Sequence, residues 1–348
     1  MNILTFTASI NAWTLFHACQ KLGLELKTTE TKQDIAIPIG NIQDEGAWLL
    51  FTEEANLRKA LDGEIPGSFW PKGYPRELLD DKWEFAEWLV RQPGLMHGPR
   101  HVSLDDICSL EYPLFLKAKH SWQGEKKLPR GWLCNSPDEV EYYKDQVLTL
   151  GYKLDSFFLQ EWLGEADTRL FSVCGFFDAN QPKRNITCVV ERLAGYTSGP
   201  SCSAVVGIMP DEFGLTPQAF AILDRLAFVG PFEMEFIVTD SRIVVLELNP
   251  RFWMQHGLFL SSGNALVKRY LELDTADDYF QPEPEKLLWV DGLWMMKSLV
   301  RCDFRLFSIL WKWRVKSDYA VIVCPPPSVA ITALVRKIKN YCLDQLRH

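Results

Sequence analysis

Two strand-like runs near residue 240 constrain this chain most. Phe232 to Val238 and Arg242 to Asn249 are separated by a turn at Asp240-Ser241, the pattern of two short strands joined by a tight connection. In the second run Glu247 and Asn249 are two residues apart, so both project from one face of a sheet. Pro250 and Arg251 then end the strand. A carboxylate and an amide oxygen side by side suit magnesium, a hard cation that takes oxygen ligands and keeps water and phosphate in its shell. Glu235 on the preceding run offers another carboxylate, and Glu233 shares its strand face. Arg251 beside them would hold a phosphate or acyl-phosphate oxygen through its planar donors. Such a grouping suits phosphoryl transfer, although Asn-Pro-Arg taken alone is also an ordinary surface turn at a strand end.

At 348 residues, with 47% hydrophobic and 24% charged composition, the chain can bury a sizeable core in two or three domains. Its start reads as a small α/β region. Ile3 to Phe6 is strand-like, Trp13 to Leu22 has helical apolar spacing, and extended pieces follow at Glu25 to Thr29, Ile35 to Ile39 and Trp48 to Phe51. There is no G-x-G-x-x-G, and Ser9-Ile10-Asn11 stands where a nucleotide-binding turn would be, so no dinucleotide site is assigned here. The Pro- and Gly-rich stretch Gly63 to Pro75 reads as a connection between domains. Beyond it come Asp80-Asp81-Lys82 and a helix Trp83 to Val90, a strand Pro113 to Ala118, a polar loop His120 to Gly131, a helix Pro137 to Leu150 and a strand Phe157 to Leu163. Strands dominate Arg169 to Val206, and a helix Pro217 to Phe228 leads into the pair.

The formal charge of −8 argues against a general nucleic-acid binder. Residues 297–348 nevertheless carry ten Lys/Arg against three Asp/Glu, +7 there and −15 elsewhere. That basic tail reads as a solvated helix face, with an acidic surface, a partner or a membrane as alternatives. Nine cysteines, with no C-x-x-C and no Cys/His cluster at zinc spacing, read as scattered reduced thiols. Apolar runs such as Tyr319 to Cys324 fall short of the ~20 residues that span a bilayer, and Met1 to Ser9 lack the marks of a secretory signal. Both point to the cytoplasm. No G-x-S-x-G elbow or Cys/His pairing supplies a protein nucleophile.

With these elements in this order, residues 78 to 275 resemble the ATP-grasp superfamily. The resemblance implies an α/β and α+β fold: a small N-terminal α/β domain of pre-ATP-grasp type over 1–77, a first ATP-grasp subdomain over 78–164, a second over 165–280, and a basic C-terminal extension over 281–348. In that family an E-x-N-P-R-like strand end supplies metal ligands, as Glu247 and Asn249 would here, and an acid on the neighbouring strand joins them. Glu235, twelve residues before Glu247, takes that place, with Glu233 as its rival. A strand lysine meets the ATP phosphates, which Lys117 in Phe115-Leu116-Lys117 matches, and Lys82 after Asp81 resembles the D-K pair that opens the region. The loop His120 to Gly131 stands where the family has a glycine-rich flap, but is poorer in glycine.

Gln160, Glu161, Trp162 and Leu163 resemble the hinge whose backbone pairs with adenine, Glu161 and Leu163 being the contacts. Asp167, or its rival Glu165, would accept the ribose hydroxyls, and Arg192 after Glu191 resembles a basic residue near the terminal phosphate. His256 reads as a packing residue rather than an acid or base. The implied chemistry uses ATP and Mg2+, with Mn2+ as the alternative ion, to activate a carboxylate as an acyl phosphate for attack by an amine. Lys117 and Arg251 would be the catalytic groups. The expected partners are small-molecule carboxylates and amines, with amino-acid or peptide ligation leading; nucleic acid and a membrane span are not expected, and self-association is left open. A small-molecule kinase and a nucleotide sensor without turnover stand as the alternatives.

Overall fold

The computed structural model describes residues 3–5, 10–28, 46–106, 110–123, 126–164, 168–195, 203–262, 265–273, 287–292, 294–295, 298, 308–309, 311–312 and 319–323. At the start, β1 (Ile3–Thr5), α1 (Ile10–Lys21), β2 (Leu26–Thr28) and β3 (Trp48–Leu50) give a sheet of order β2-β1-β3 with both pairings parallel. A helix between β1 and β2 is what lets the chain return in parallel. The expected piece Ile35 to Ile39 lies outside the described residues. α2 (Glu54–Leu61), which the sequence reading did not single out, leaves the carboxyl end of β3. Gly63 to Pro75 does more than connect. Its Ile65, Phe69 and Tyr74 are buried in a core shared with the later elements, and Ser68 bridges Trp48 in parallel.

α3 (Lys82–Val90) begins at Asp81, whose carboxylate accepts the Trp83 and Glu84 amides at 3.0 Å, satisfying donors that a helix start leaves open. There follow β4 (His101–Val102), β5 (Leu114–Ala118), β6 (Trp122–Gln123), β7 (Lys126–Lys127), β8 (Gly131–Cys134), α4 (Pro137–Thr149) and β9 (Phe157–Glu161). β4-β9-β5-β8 form an antiparallel sheet, and the polar loop of the sequence is a short β6-β7 arm. Leu114, Leu116 and Ala118 pack with Val140, Val147 and Leu159 under α4. By the two-residue period, Phe115 and Lys117 therefore face the other way. Gly131 permits the arm to rejoin β5, since its φ is 141° and a Cβ there would collide with the Leu116 carbonyl oxygen.

The remaining elements are β10 (Arg169–Asp178), β11 (Ile186–Gly195), β12 (Ser203–Met209), α5 (Leu215–Arg225), β13 (Val229–Val238), β14 (Ile243–Asn249), α6 (Ala265–Tyr270), β15 (Leu287–Asp291) and β16 (Tyr319–Val323). They build one seven-stranded sheet, β14-β13-β10-β11-β12-β15-β16. α5 starts two residues before the predicted Pro217, because Asp211 accepts the Leu215 and Thr216 amides at 2.7 and 2.8 Å. The segment read as a C-terminal extension gives its described strands to this sheet: β15 pairs antiparallel with β12, and β16 parallel with β15. One face, carrying Phe171, Val173, Phe232, Met234 and Phe236, packs against Leu57 of α2, Phe85 of α3 and Ile222 of α5. The other carries Cys174, Phe176, Cys188, Val190, Val206 and Ile208, under residues of α1, α6 and a 3-10 run at Met254–Ser262. Among the described residues no helix is long and apolar enough to cross a membrane.

Candidate active site

The register of β13 on β14 builds the acidic group. Glu235 lies directly opposite Glu247, and Glu233 directly opposite Asn249, so four side chains share one patch of the sheet face. The Glu233 carboxylate is engaged locally, accepting from Asn249 Nδ2 at 3.2 Å and from Ser172 Oγ at 3.3 Å. That donation leaves Asn249 Oδ1 as the open ligand atom. Burial, then the charges of Glu247 and Glu233, push the Glu235 carboxyl well above its usual range. Glu233 is pushed up to about 7, with burial as the main cause. Glu247 goes the other way, because Lys82, Lys117, Arg130 and Arg251 outweigh the effect of burial and hold it below the usual carboxylate value.

A cation between Glu235 and Glu247 would relieve their repulsion. Among the described residues no group of three or more His, Cys, Asp or Glu is arranged to hold a metal ion. An ion here would thus rest on two carboxylates and one amide oxygen, with phosphate and water completing the shell. That all-oxygen, incomplete donor set fits magnesium.

The lysines approach from the four-stranded sheet and from α3. Lys117 is 7% exposed, and its Nζ donates to Gln160 Oε1 at 3.2 Å, so it is not an ammonium reaching out to solvent. Burial, helped by the charge of Lys82 and opposed by Glu247 and Glu235, lowers its pKa to about 8. For Lys82, burial acts downward but Glu247, Asp80 and Glu54 outweigh it and the pKa is raised; its Nζ is 3.6 Å from Asp80 Oδ1. Asp80, at φ 56°, also accepts the Ser121 amide and hydroxyl, which ties this turn to the end of β5.

At the hinge, Phe115 lies opposite Gln160, and the Trp162 ring centroid is 5.6 Å from that of Phe115. These side chains share the Lys117 face. Glu161 lies opposite Leu114 and points away from that face. Its carboxylate accepts the Arg100 amide at 2.6 Å, Arg100 Nε at 3.0 Å and Arg242 Nη2 at 2.7 Å, and these partners hold its pKa down against the effect of burial. The Glu161 side chain is therefore taken up behind the sheet. The Leu163 carbonyl accepts the Thr168 hydroxyl, while the Leu163 amide has no main-chain acceptor among the described residues. Gly164 lies against the Trp162 indole, where a Cβ would collide with the ring. Asp167 and Glu165 lie outside the described residues. Arg192 is half-buried on β11 opposite Val206, and the register through Val190 and Ser172 sets it on the same face as Glu235.

Two further groups were missed from sequence. Arg130 acts on both Glu235 and Glu247; its signal was a lone Arg closing the polar loop just before Gly131. Glu54 holds Arg251, with Oε1 2.6 Å from Nε and 2.5 Å from Nη2. Its signal was an acid pair after a short strand of a parallel sheet, the end at which α/β sheets bind ligands. The Phe252 amide also donates to the Phe51 carbonyl at 3.1 Å, so the first sheet is docked directly on the end of β14. His256 is 2% exposed, its Nδ1 is 2.5 Å from the Trp253 carbonyl, and burial lowers its pKa to about 4.

No protein-family model and no curated protein matches this chain. Solved structures do share its fold. Biotin carboxylase from Campylobacter jejuni in an ATP complex is 14% identical, with TM-score 0.58 over 81% of this chain and 72% of that one. N5-carboxyaminoimidazole synthase from Aspergillus clavatus, with ADP and 5-aminoimidazole ribonucleotide, is 13% identical, with TM-score 0.55 over 79% and 77%. A RimK-domain ATP-grasp protein from Sphaerobacter thermophilus is 16% identical, with TM-score 0.53 over 77% and 98%.

Proposed function

We propose that this chain, which has the ATP-grasp fold, is a magnesium-ATP-dependent ligase that activates a carboxylate as an acyl phosphate for attack by an amine. One observation carries the proposal: Lys117 of the four-stranded sheet and Lys82 of α3 converge on the Glu235-Glu247 pair of the seven-stranded sheet, with Arg251 next along the chain. Anionic phosphates would be attracted between those cations. Glu235, Glu247 and Asn249 Oδ1 would hold the magnesium ion, which would neutralise phosphate charge when bound. The Leu163 amide and the Glu161 carbonyl would meet the adenine edge, with Trp162 and Phe115 along its side.

Gln160 orients Lys117, and Lys117, Lys82 and Arg192 would bind the phosphates. The substrate carboxylate attacks the terminal phosphorus, and Lys117 and Arg251 stabilise the negative charge passing through the transferred group. An amine then displaces phosphate from the acyl carbon. Amino acids and peptides are the substrates to try first, and Asp167 remains the proposed ribose contact.

The test is to incubate the full chain with magnesium, ATP and pools of amino acids and small carboxylic acids, and to follow ADP, AMP and phosphate by mass spectrometry. ADP and phosphate that require both a carboxylate and an amine are expected. AMP with pyrophosphate would overturn the acyl-phosphate route, and a phosphorylated product formed without an amine would make the chain a kinase.

A further inference from the structure

The parallel sheet at the start of the chain brings one charged side chain into this site that supports Arg251 and Lys82 and still keeps an oxygen to spare. Glu54 opens α2 just beyond the carboxyl end of β3. Its Oε1 takes both Arg251 Nε and Nη2, at 2.6 and 2.5 Å. Its Oε2 makes no hydrogen bond among the described residues, and the side chain is 16% exposed. One oxygen is pinned and the other is open.

The other acids of the site are committed. Glu235 and Glu247 face each other at the cation position, and Glu233 is held by Asn249 and Ser172. Asp80 is held by Ser121, Asp81 caps α3, and Glu161 is turned behind the hinge to Arg100 and Arg242. If Arg251 holds the acyl phosphate, Glu54, whose other oxygen grips Arg251, would be the acid nearest to that phosphate with an oxygen to spare. The charge of Glu54 also reaches the buried phenol of Tyr74, whose hydroxyl has no hydrogen-bond partner among the described residues.

We propose that the nucleophile arrives as an ammonium bound at the open oxygen of Glu54, and that Glu54 is the catalytic residue that takes its proton. This inference rests on the ligase reading. Glu54 accepts one proton from the ammonium nitrogen, and the freed lone pair forms the C–N bond to the acyl carbon. The C–O bond to phosphate breaks, its electron pair leaves with the phosphate oxygen, and phosphate takes up the second nitrogen proton. Glu54 then returns its proton to water.

Two nucleophiles separate this role from that of a mere holder of Arg251. Ammonia is almost wholly ammonium at pH 7 and needs a proton acceptor, whereas hydroxylamine is largely uncharged. The full chain and its Glu54→Gln and Glu54→Asp variants would be given magnesium, ATP, a mixture of amino acids and simple carboxylic acids, and either nitrogen-15 ammonium chloride or hydroxylamine. Amide and hydroxamate are read by mass spectrometry. Gln keeps an oxygen for Arg251, so Glu54→Gln should retain hydroxamate formation within about threefold while amide formation falls about 100-fold or more. Glu54→Asp should recover part of the amide. An equal fall of both products, or amide formation untouched in Glu54→Gln, would overturn the proposal. Absence of hydroxamate from the unaltered chain would instead strike the ligase reading itself.

Discussion

One face of the seven-stranded sheet carries two kinds of surface. Over β10, β11 and β12 it presents Cys174, Phe176, Cys188, Val190, Val206 and Ile208, all buried under helices. Over β13 and β14 the same face presents Glu233, Glu235, Glu247 and Asn249. The backbone alternation is the same at both ends, but the energetics are opposite. The apolar end gains about 25 cal/mol for each Å² of surface it buries, whereas the acid end sets carboxylates side by side and strips them of water, which pushes the Glu233 and Glu235 carboxyls upward. Perturbed groups of this kind gather where charge is to be bound. Under the proposed function, stability rests in one half of the face and chemistry in the other.

That division breaks or sharpens under substitution. Phe176 is fully buried at the apolar end, so Phe176→Ala should cost about 3 kcal/mol in urea denaturation and leave turnover, measured where the protein stays folded, within about twofold of the parent. A turnover loss of orders of magnitude would show the ends to be coupled. Lys117 comes next: its pKa of about 8 means that the ammonium is present below that pH and is lost as pH rises through it. ATP affinity, followed by calorimetry from pH 7 to 9, should fall about tenfold, as the charged fraction of Lys117 drops about tenfold over that range. Lys117→Arg, which keeps its charge, should flatten that limb. The smallest effect is expected at Glu235. Where both facing carboxyls are ionised, above the raised Glu235 range, removing one relieves repulsion, so Glu235→Gln should there raise the melting temperature of the magnesium-free protein by about 2 °C while abolishing the further rise that magnesium and ATP give the parent.

Much of the acid end was legible in sequence because its cause is local. A two-residue period puts Glu247 and Asn249 on one face, and the turn at Asp240-Ser241 brings Glu235 opposite Glu247. Lys117 was legible as a strand residue, but its burial and its bond to Gln160 depend on how β5 pairs with β9. Glu161 shows the limit of such reading. The hinge pattern marks its main chain, whereas the register against Leu114 decides where its carboxylate points. The Glu54-Arg251 pair had no local signature at all, since 197 residues separate its members. Likewise, β15 and β16 read as a separate basic extension because nothing in their own composition names β12 as the partner.

The most direct test of the account is calorimetric titration of ATP into the full chain and into Glu247→Gln, each with and without magnesium. Binding to the unaltered chain should strengthen at least about tenfold with magnesium, a gain of about 1.4 kcal/mol, and the variant should no longer respond to the ion. Binding that is indifferent to magnesium, or a magnesium response that survives Glu247→Gln, would contradict the assignment of the acid end as the metal and phosphate site.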